Sequence, residues 1–233
     1  MTASKELFRA LEFAHYAERF RDKVFIVALS RDARFHDLLH DLKVLAGYRI
    51  QVVLIATDPD GQLDRVIGLS NQRGTRFHLS LLTEVAFQPG QGPPAIDFSR
   101  IQASLARGMM PVIAVHLEPS PPPLRAVAGG TPALPTLAPM PAPVEPSFAL
   151  AGELALHLHA DKLYLVTPQV GPWLGVVSRT QVLLEEISRL DAELSNGGLS
   201  GQECLLQTVH QYLKRGIPDV VVVEGRPSYL FKE

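Results

Sequence analysis

The chain has 233 residues, of which 46% are hydrophobic, and a formal net charge of −2. This length suits one large α/β domain or two small ones, and the near-neutral charge gives no electrostatic reason to expect nucleic acid or a membrane surface as a partner. The single cysteine, Cys204, excludes an intrachain disulfide. Because residues 1–21 carry charges throughout and no apolar run reaches membrane-spanning length, we expect a cytoplasmic protein.

The first quarter of the chain predicts a helix followed by a βαβ unit. Apolar residues recur at helical spacing over residues 4–20, which predicts an amphipathic N-terminal helix. Val24–Leu29 and Ile50–Ala56 are short continuous apolar runs, typical of strands that are covered on both faces. Asp37–Ala46 is predicted to be a helix that ends at Gly47. Such a unit favours a right-handed crossover between two parallel strands.

Helices and strands alternate again in the rest of the chain. The predicted helices are Phe98–Arg107, Ala149–His159 and Gln202–Arg215, and the strands that follow them are Pro111–Val115, Lys162–Val166 and Val220–Glu224. This alternation predicts a three-layer α/β/α sandwich with a mainly parallel central sheet. We expect residues 1–233 to form a single domain.

One segment interrupts the alternation. Residues 118–146 contain ten of the nineteen prolines in the chain, together with a Gly-Gly pair. This composition favours irregular and polyproline conformations, so we interpret the segment as a flexible proline-rich insertion. A docking segment for a proline-recognising partner is the alternative interpretation.

Several stretches, taken in order, resemble the amino-acid kinase family. They are Ala10–Lys23, Asp97–Ile101, Gly108–Ala114, Leu156–Thr167, Gly197-Gly198-Leu199, Gly216-Ile217 and Val221–Pro227. They are most similar to acetylglutamate kinase and to the kinase-like domain of N-acetylglutamate synthase. The resemblance implies an amino-acid kinase fold for the whole chain.

The positions that carry phosphoryl transfer in that family hold different residues here. The family's two lysines, its glycine loops and an aspartate are replaced by Ala28, Ser30, Arg31, Thr57-Asp58-Pro59, Pro168 and Gln202. Because cations and oriented backbone N–H groups stabilise the moving phosphate, their loss removes most of the catalytic power. We therefore expect no catalytic residues. The expected function is that of a degenerate, non-catalytic regulatory or ligand-binding module linked to arginine biosynthesis.

An active acetylglutamate kinase, which phosphorylates N-acetylglutamate with ATP, is the alternative function. Only this alternative requires cofactors, namely ATP and Mg²⁺. The partners that the resemblance implies are arginine or an acetylglutamate-like small molecule, a second copy of the chain in a homo-oligomer, or an acetyltransferase.

Seven residues are predicted to line the degenerate ligand site. They are Arg31, Arg73, Arg76, Thr167, Gly197, Gly198 and Arg226. Arg73 and Arg76 lie near the position where the family holds a substrate carboxylate, and guanidinium groups suit that contact. Solvated loop arginines are the alternative interpretation.

A metal site is not predicted from the histidines. His36 and His40 are four residues apart on a predicted helix, a spacing that presents two imidazoles to one ion. The sequence shows no third ligand near them. We therefore interpret the pair as part of a solvated helix face.

Overall fold

The computed structural model describes residues 14–33, 35–57, 63–71, 78–87, 96–117, 145–168 and 201–225. The strands are β1 Val24–Leu29, β2 Gln51–Thr57, β3 Leu79–Phe87, β4 Met110–Leu117, β5 Lys162–Thr167 and β6 Val220–Glu224. The helices are α1, described over residues 14–19, then α2 Phe35–Gly47, α3 Leu63–Asn71, α4 Phe98–Ala106, α5 Pro146–His157 and α6 Gly201–Lys214.

The six strands form one sheet in the order β3-β4-β2-β1-β5-β6, and every neighbouring pair is parallel. Helices flank the sheet, so the predicted α/β class with a parallel central sheet is confirmed. The sheet is entirely parallel among the described strands, whereas the sequence predicted a mainly parallel one.

Two apolar layers hold the helices against the sheet. Alternate residues of β1 illustrate the division: Phe25, Val27 and Leu29 belong to one cluster, and Ile26 and Ala28 belong to the other. The first cluster contains the buried apolar residues of α2 and α3 together with Phe20, which directly follows α1, and we call this side the first face. The second cluster contains those of α4, α5 and α6, on the second face. Both faces of each central strand are thus buried, which explains the continuous apolar runs in the sequence.

The chain changes direction across the sheet between β1 and β5. From β1 the chain passes through α2 on the first face to β2, which lies on one side of β1. From β5 it reaches β6 on the opposite side, and α6, which precedes β6, lies on the second face. In open α/β sheets the carboxyl ends of two such strands border a crevice that binds ligands. We call this place the switch point.

Two elements have no counterpart among those predicted from the sequence. Helix α3 is a nine-residue helix. Strand β3 is at the edge of the sheet and contains Ser80, Thr83 and Glu84, with a register irregularity between Leu81 and Thr83. An edge strand pairs on one side only and tolerates polar residues, so its sequence lacks the apolar run that identified β1 and β2.

Two predicted helices begin at least two residues earlier in the structure. Helix α2 begins at Phe35 rather than Asp37. Helix α5 begins at Pro146, a residue assigned to the proline-rich insertion, rather than at Ala149. Proline suits the first helical turn because its missing N–H would have no partner there. The remainder of the insertion, residues 118–144, lies outside the described residues, as does most of the predicted N-terminal helix.

No helix within the described ranges is long and apolar enough to cross a bilayer. Across the same ranges, no group of three or more His, Cys, Asp or Glu side chains is arranged to hold a metal ion. His36 and His40 are both exposed on α2.

Candidate functional site

Three residues with hydroxyl side chains lie in one row at the switch point. Leu29 of β1 is opposite Ala56 of β2 and Val166 of β5. The next residues along the three chains are therefore neighbours, and these are Ser30, Thr57 and Thr167. The Ser30 amide donates to the Val166 carbonyl at 2.9 Å, which continues the β1–β5 pairing up to this row.

Two hydroxyls of this row are buried without a hydrogen bond in the described part of the protein. They are Ser30 Oγ and Thr57 Oγ1, and Ser30 as a residue is only 7% exposed. A buried hydroxyl that lacks a partner costs about 1–3 kcal/mol. Each hydroxyl therefore retains an unused capacity to donate to, or accept from, a bound group.

A third buried hydroxyl belongs to α5, which packs on β1, β2 and β5 from the second face. Ser147, in the first turn of α5, is fully buried, and its Oγ likewise has no hydrogen-bond partner among the described residues. Since α5 runs back to the amino end of β5, its first turn lies at the carboxyl edge of the sheet. The Glu145 contact with the loop after β1 confirms this placement.

Glu145, the N-cap residue of α5, supplies a carboxylate to the same edge. Its Oε1 accepts a hydrogen bond from the Arg31 backbone N–H at 2.6 Å. Burial raises the pKa of the Glu145 carboxyl, the Arg31 hydrogen bond opposes that rise, and the negative charge of Asp32 adds to it. The surroundings therefore compensate the negative charge of this carboxylate only in part.

The structure places two of the seven predicted site residues at this edge. Thr167 ends β5 and is 8% exposed, and Arg31 is exposed in the loop after β1. Their backbones adjoin because Ser30 pairs with Val166. The other five lie outside the described residues, namely Arg73, Arg76, Gly197, Gly198 and Arg226. Their predicted role as ligand contacts stays a prediction.

Sequence reasoning noted Ser30 and Thr57 only as replacements of family residues, and it identified neither Ser147 nor Glu145 as a site residue. A signal for the first two exists: a hydroxyl residue directly follows Leu29, directly follows Ala56, and again follows Val166. Because the carboxyl ends of parallel strands meet at one edge, three such residues are expected to lie together. No comparable local signal identifies Glu145, which reaches the site through a contact between residues 114 positions apart.

A separate concavity of about 280 Å³ lies at the opposite, amino edge of the sheet. Asp22 and Arg49 on its rim form an ion pair of 3.4 Å, and both have left-handed backbone conformations with φ of 62° and 64°. Its remaining lining includes Ile50, Gln51 and Leu105. The concavity contains none of the unpartnered hydroxyls, so the switch point remains the candidate site.

No protein-family model and no curated protein sequence matches the chain. Among solved structures, one described as a universal stress protein in complex with cAMP aligns with 87% of this chain and 98% of its own. The sequence identity is 12% and the TM-score is 0.31. A similarity this weak does not assign the chain to that family.

The comparison corrects the family that the sequence suggested. The expected membership in the amino-acid kinase family is wrong: no protein-family model matches the chain, and the solved structure that aligns is described as a universal stress protein. Some of the matched stretches are strands of the parallel sheet, such as Lys162–Thr167 and Val220–Glu224, and short apolar strands of this kind are common to parallel α/β proteins. What the chain shares with those kinases is therefore the general α/β architecture.

Proposed function

We propose that the protein binds a small molecule at the switch point between β1 and β5. The observation that supports this proposal is the pair of buried hydroxyls, Ser30 Oγ and Thr57 Oγ1, that have no hydrogen-bond partner within the described ranges. Stability alone does not favour such groups, since apolar replacements of the same shape remove the desolvation cost. A ligand that bonds them accounts for their presence at the edge where parallel sheets bind ligands.

Binding without chemistry on the ligand fits these hydroxyls better than nucleophilic catalysis. A serine or threonine nucleophile is activated by a base within hydrogen-bond distance. In the described part of the chain, neither hydroxyl has such a partner. We therefore propose a binding module. The expected link to arginine biosynthesis depended on the family resemblance, and it has no support without that resemblance.

A thermal-shift titration tests the proposal. Arginine, N-acetylglutamate, MgATP, adenosine and ribose form the first panel, so that the ligands expected from the sequence are tested together with neutral ones. A ligand at 100 times its dissociation constant adds about 2.7 kcal/mol to the free energy of unfolding, which raises Tm by several degrees.

The double variant Ser30→Ala and Thr57→Val identifies the site. We expect it to lower the affinity of the active compound at least tenfold while the ligand-free protein stays as stable as wild type or becomes more stable. Ser104→Ala, which removes a buried hydroxyl from α4, is the control and should leave affinity unchanged. If the ligand raised Tm equally in wild type and in the double variant, the binding site would lie elsewhere.

A further inference from the structure

Two helices begin at the switch point. Helix α2 has 13 residues and starts shortly after β1, and α5 has 12 residues and starts beside the same loop. The N-terminus of a helix carries a partial positive charge and N–H groups without helical partners, so it attracts oxyanions such as phosphate. Without other charges, this edge would be an anion site.

The chain's own carboxylate lies beside these helix ends: Glu145 is the N-cap residue of α5, and it bonds the loop four residues before α2 begins. Glu145 Oε1 accepts the Arg31 backbone N–H at 2.6 Å, a donor that an oxyanion would otherwise use. The Glu145 side chain makes no hydrogen bond that caps its own helix, as far as the described residues show. Asp32 in the same loop contributes a second negative charge that acts on Glu145, and the Arg31 guanidinium contributes a positive charge that offsets it in part. An incoming phosphate would therefore meet like charge and an occupied donor.

Two buried hydroxyl residues are close in sequence to the two residues of this contact. Ser30 directly precedes Arg31, and Ser147 follows Glu145 by two residues. These residues are 7% and 0% exposed, and neither hydroxyl has a partner in the described ranges. The carboxylate accepts hydrogen bonds only, and each hydroxyl is also able to accept one. A group that donates several hydrogen bonds matches this set of acceptors.

We propose that Glu145 determines specificity at the switch point by excluding phosphate and other oxyanions and selecting a ligand group that donates hydrogen bonds. A hydroxyl of a sugar and a primary ammonium both have this chemistry. The inference rests on the proposed binding function and defines the class of ligand at the same site.

Inorganic phosphate is the probe for exclusion, titrated by calorimetry into wild type, Glu145→Gln, Glu145→Ala and Glu153→Gln. Both Glu145 variants should gain at least tenfold in phosphate affinity over wild type. Glu153→Gln is the matched control, since it makes the same charge change further along α5, where Glu153 pairs with Arg215. The inference is overturned if neither Glu145 variant gains affinity, or if Glu153→Gln gains as much.

Ribose and putrescine are the probes for the donor group of the ligand. Ribose tests a hydroxyl as the donor, and putrescine tests a primary ammonium. Relative to wild type, Glu145→Gln should bind one of these probes at least tenfold more weakly. If the charge of the carboxylate contributes, the loss of affinity should be larger for putrescine than for ribose. Unchanged affinity for both probes would contradict the selection of a donor. The two proposals fail separately: the binding function fails on the Ser30 and Thr57 variants, and the specificity role fails on phosphate binding to the Glu145 variants.

Discussion

Lys162 shows how this fold keeps a charge in its interior. The residue is 2% exposed at the start of β5, and its Nζ lies 3.1 Å from a carboxylate oxygen of Asp219. The ammonium also lies 4.9 Å from the Phe20 ring centroid and 5.2 Å from that of Tyr16. Both rings belong to the segment that begins with α1, so the cation helps to hold this segment on the sheet. The aliphatic stem fills space in the same layer.

Substitutions of Lys162 should separate packing from charge. Because Asp219 is 45% exposed and stays solvated without its partner, and methionine is similar in size to lysine, the free energy of unfolding of Lys162→Met should lie within about 1 kcal/mol of the wild-type value. Lys162→Ala leaves a cavity and should lose about 2–5 kcal/mol, as other large-to-small core changes do. Urea denaturation measures both. Equal losses in the two variants would mean that the charge, rather than the stem, stabilises this position.

At the scale of elements, Gly152 sets the distance between α5 and α6. A Cβ at this position would overlap the ring of Tyr212 on α6. That ring has little room to move, because Tyr212 is 5% exposed and its hydroxyl donates to the Phe148 carbonyl at 2.8 Å. Burial raises the pKa of Tyr212, which keeps the phenol protonated as the donor. The missing side chain at Gly152 thus lets the two helices approach each other.

Gly152→Ala should destabilise the protein, against the usual effect of this change in a helix. Helix propensity alone predicts a gain of about 0.5–1 kcal/mol. Overpacking against Tyr212 should outweigh it and give a net loss of about 1–3 kcal/mol. Gly68→Ala in α3 is the control, since nothing lies within 4 Å of its added Cβ, and it should show the gain. A stabilised Gly152→Ala protein, measured by thermal unfolding, would show that α6 moves freely relative to α5.

For the whole molecule, Glu145 makes an unusual contribution to the dependence of stability on pH. Its pKa in the folded protein is raised above the ordinary value of 4.5, so the folded state binds this proton more tightly than the unfolded state. The ionised carboxylate therefore lowers the free energy of unfolding above both pKa values. That penalty disappears as pH falls through the folded pKa towards the unfolded one.

The difference in stability between Glu145→Gln and wild type should follow this pH dependence. At pH 7 the variant should be more stable, by less than about 1 kcal/mol because solvent screens a partly exposed carboxylate. The gain should vanish at pH values below 4.5, where both proteins are neutral at this position. Denaturant unfolding of both proteins at a series of pH values measures this difference in stability. A variant that is less stable than wild type at pH 7 would show that the Arg31 contact needs the charge.

Much of the sheet was predictable because central strands leave a local mark. β1, β2 and the strand from Lys162 are continuous apolar runs, since both of their faces are buried. β3 was not predictable, because one side of an edge strand stays unpaired and its polar residues break the run. At the site, a hydroxyl residue after each of three strands is visible in the sequence alone.

By itself, the sequence determined which segments form the buried strands and that they alternate with helices, because burial on both faces requires apolar residues within a few positions of each other. The tertiary structure decided the order of the strands, and hence that the chain reverses direction between β1 and β5. It also decided that Glu145 reaches the loop after β1. These relations depend on packing between distant segments, which no local pattern of residues records.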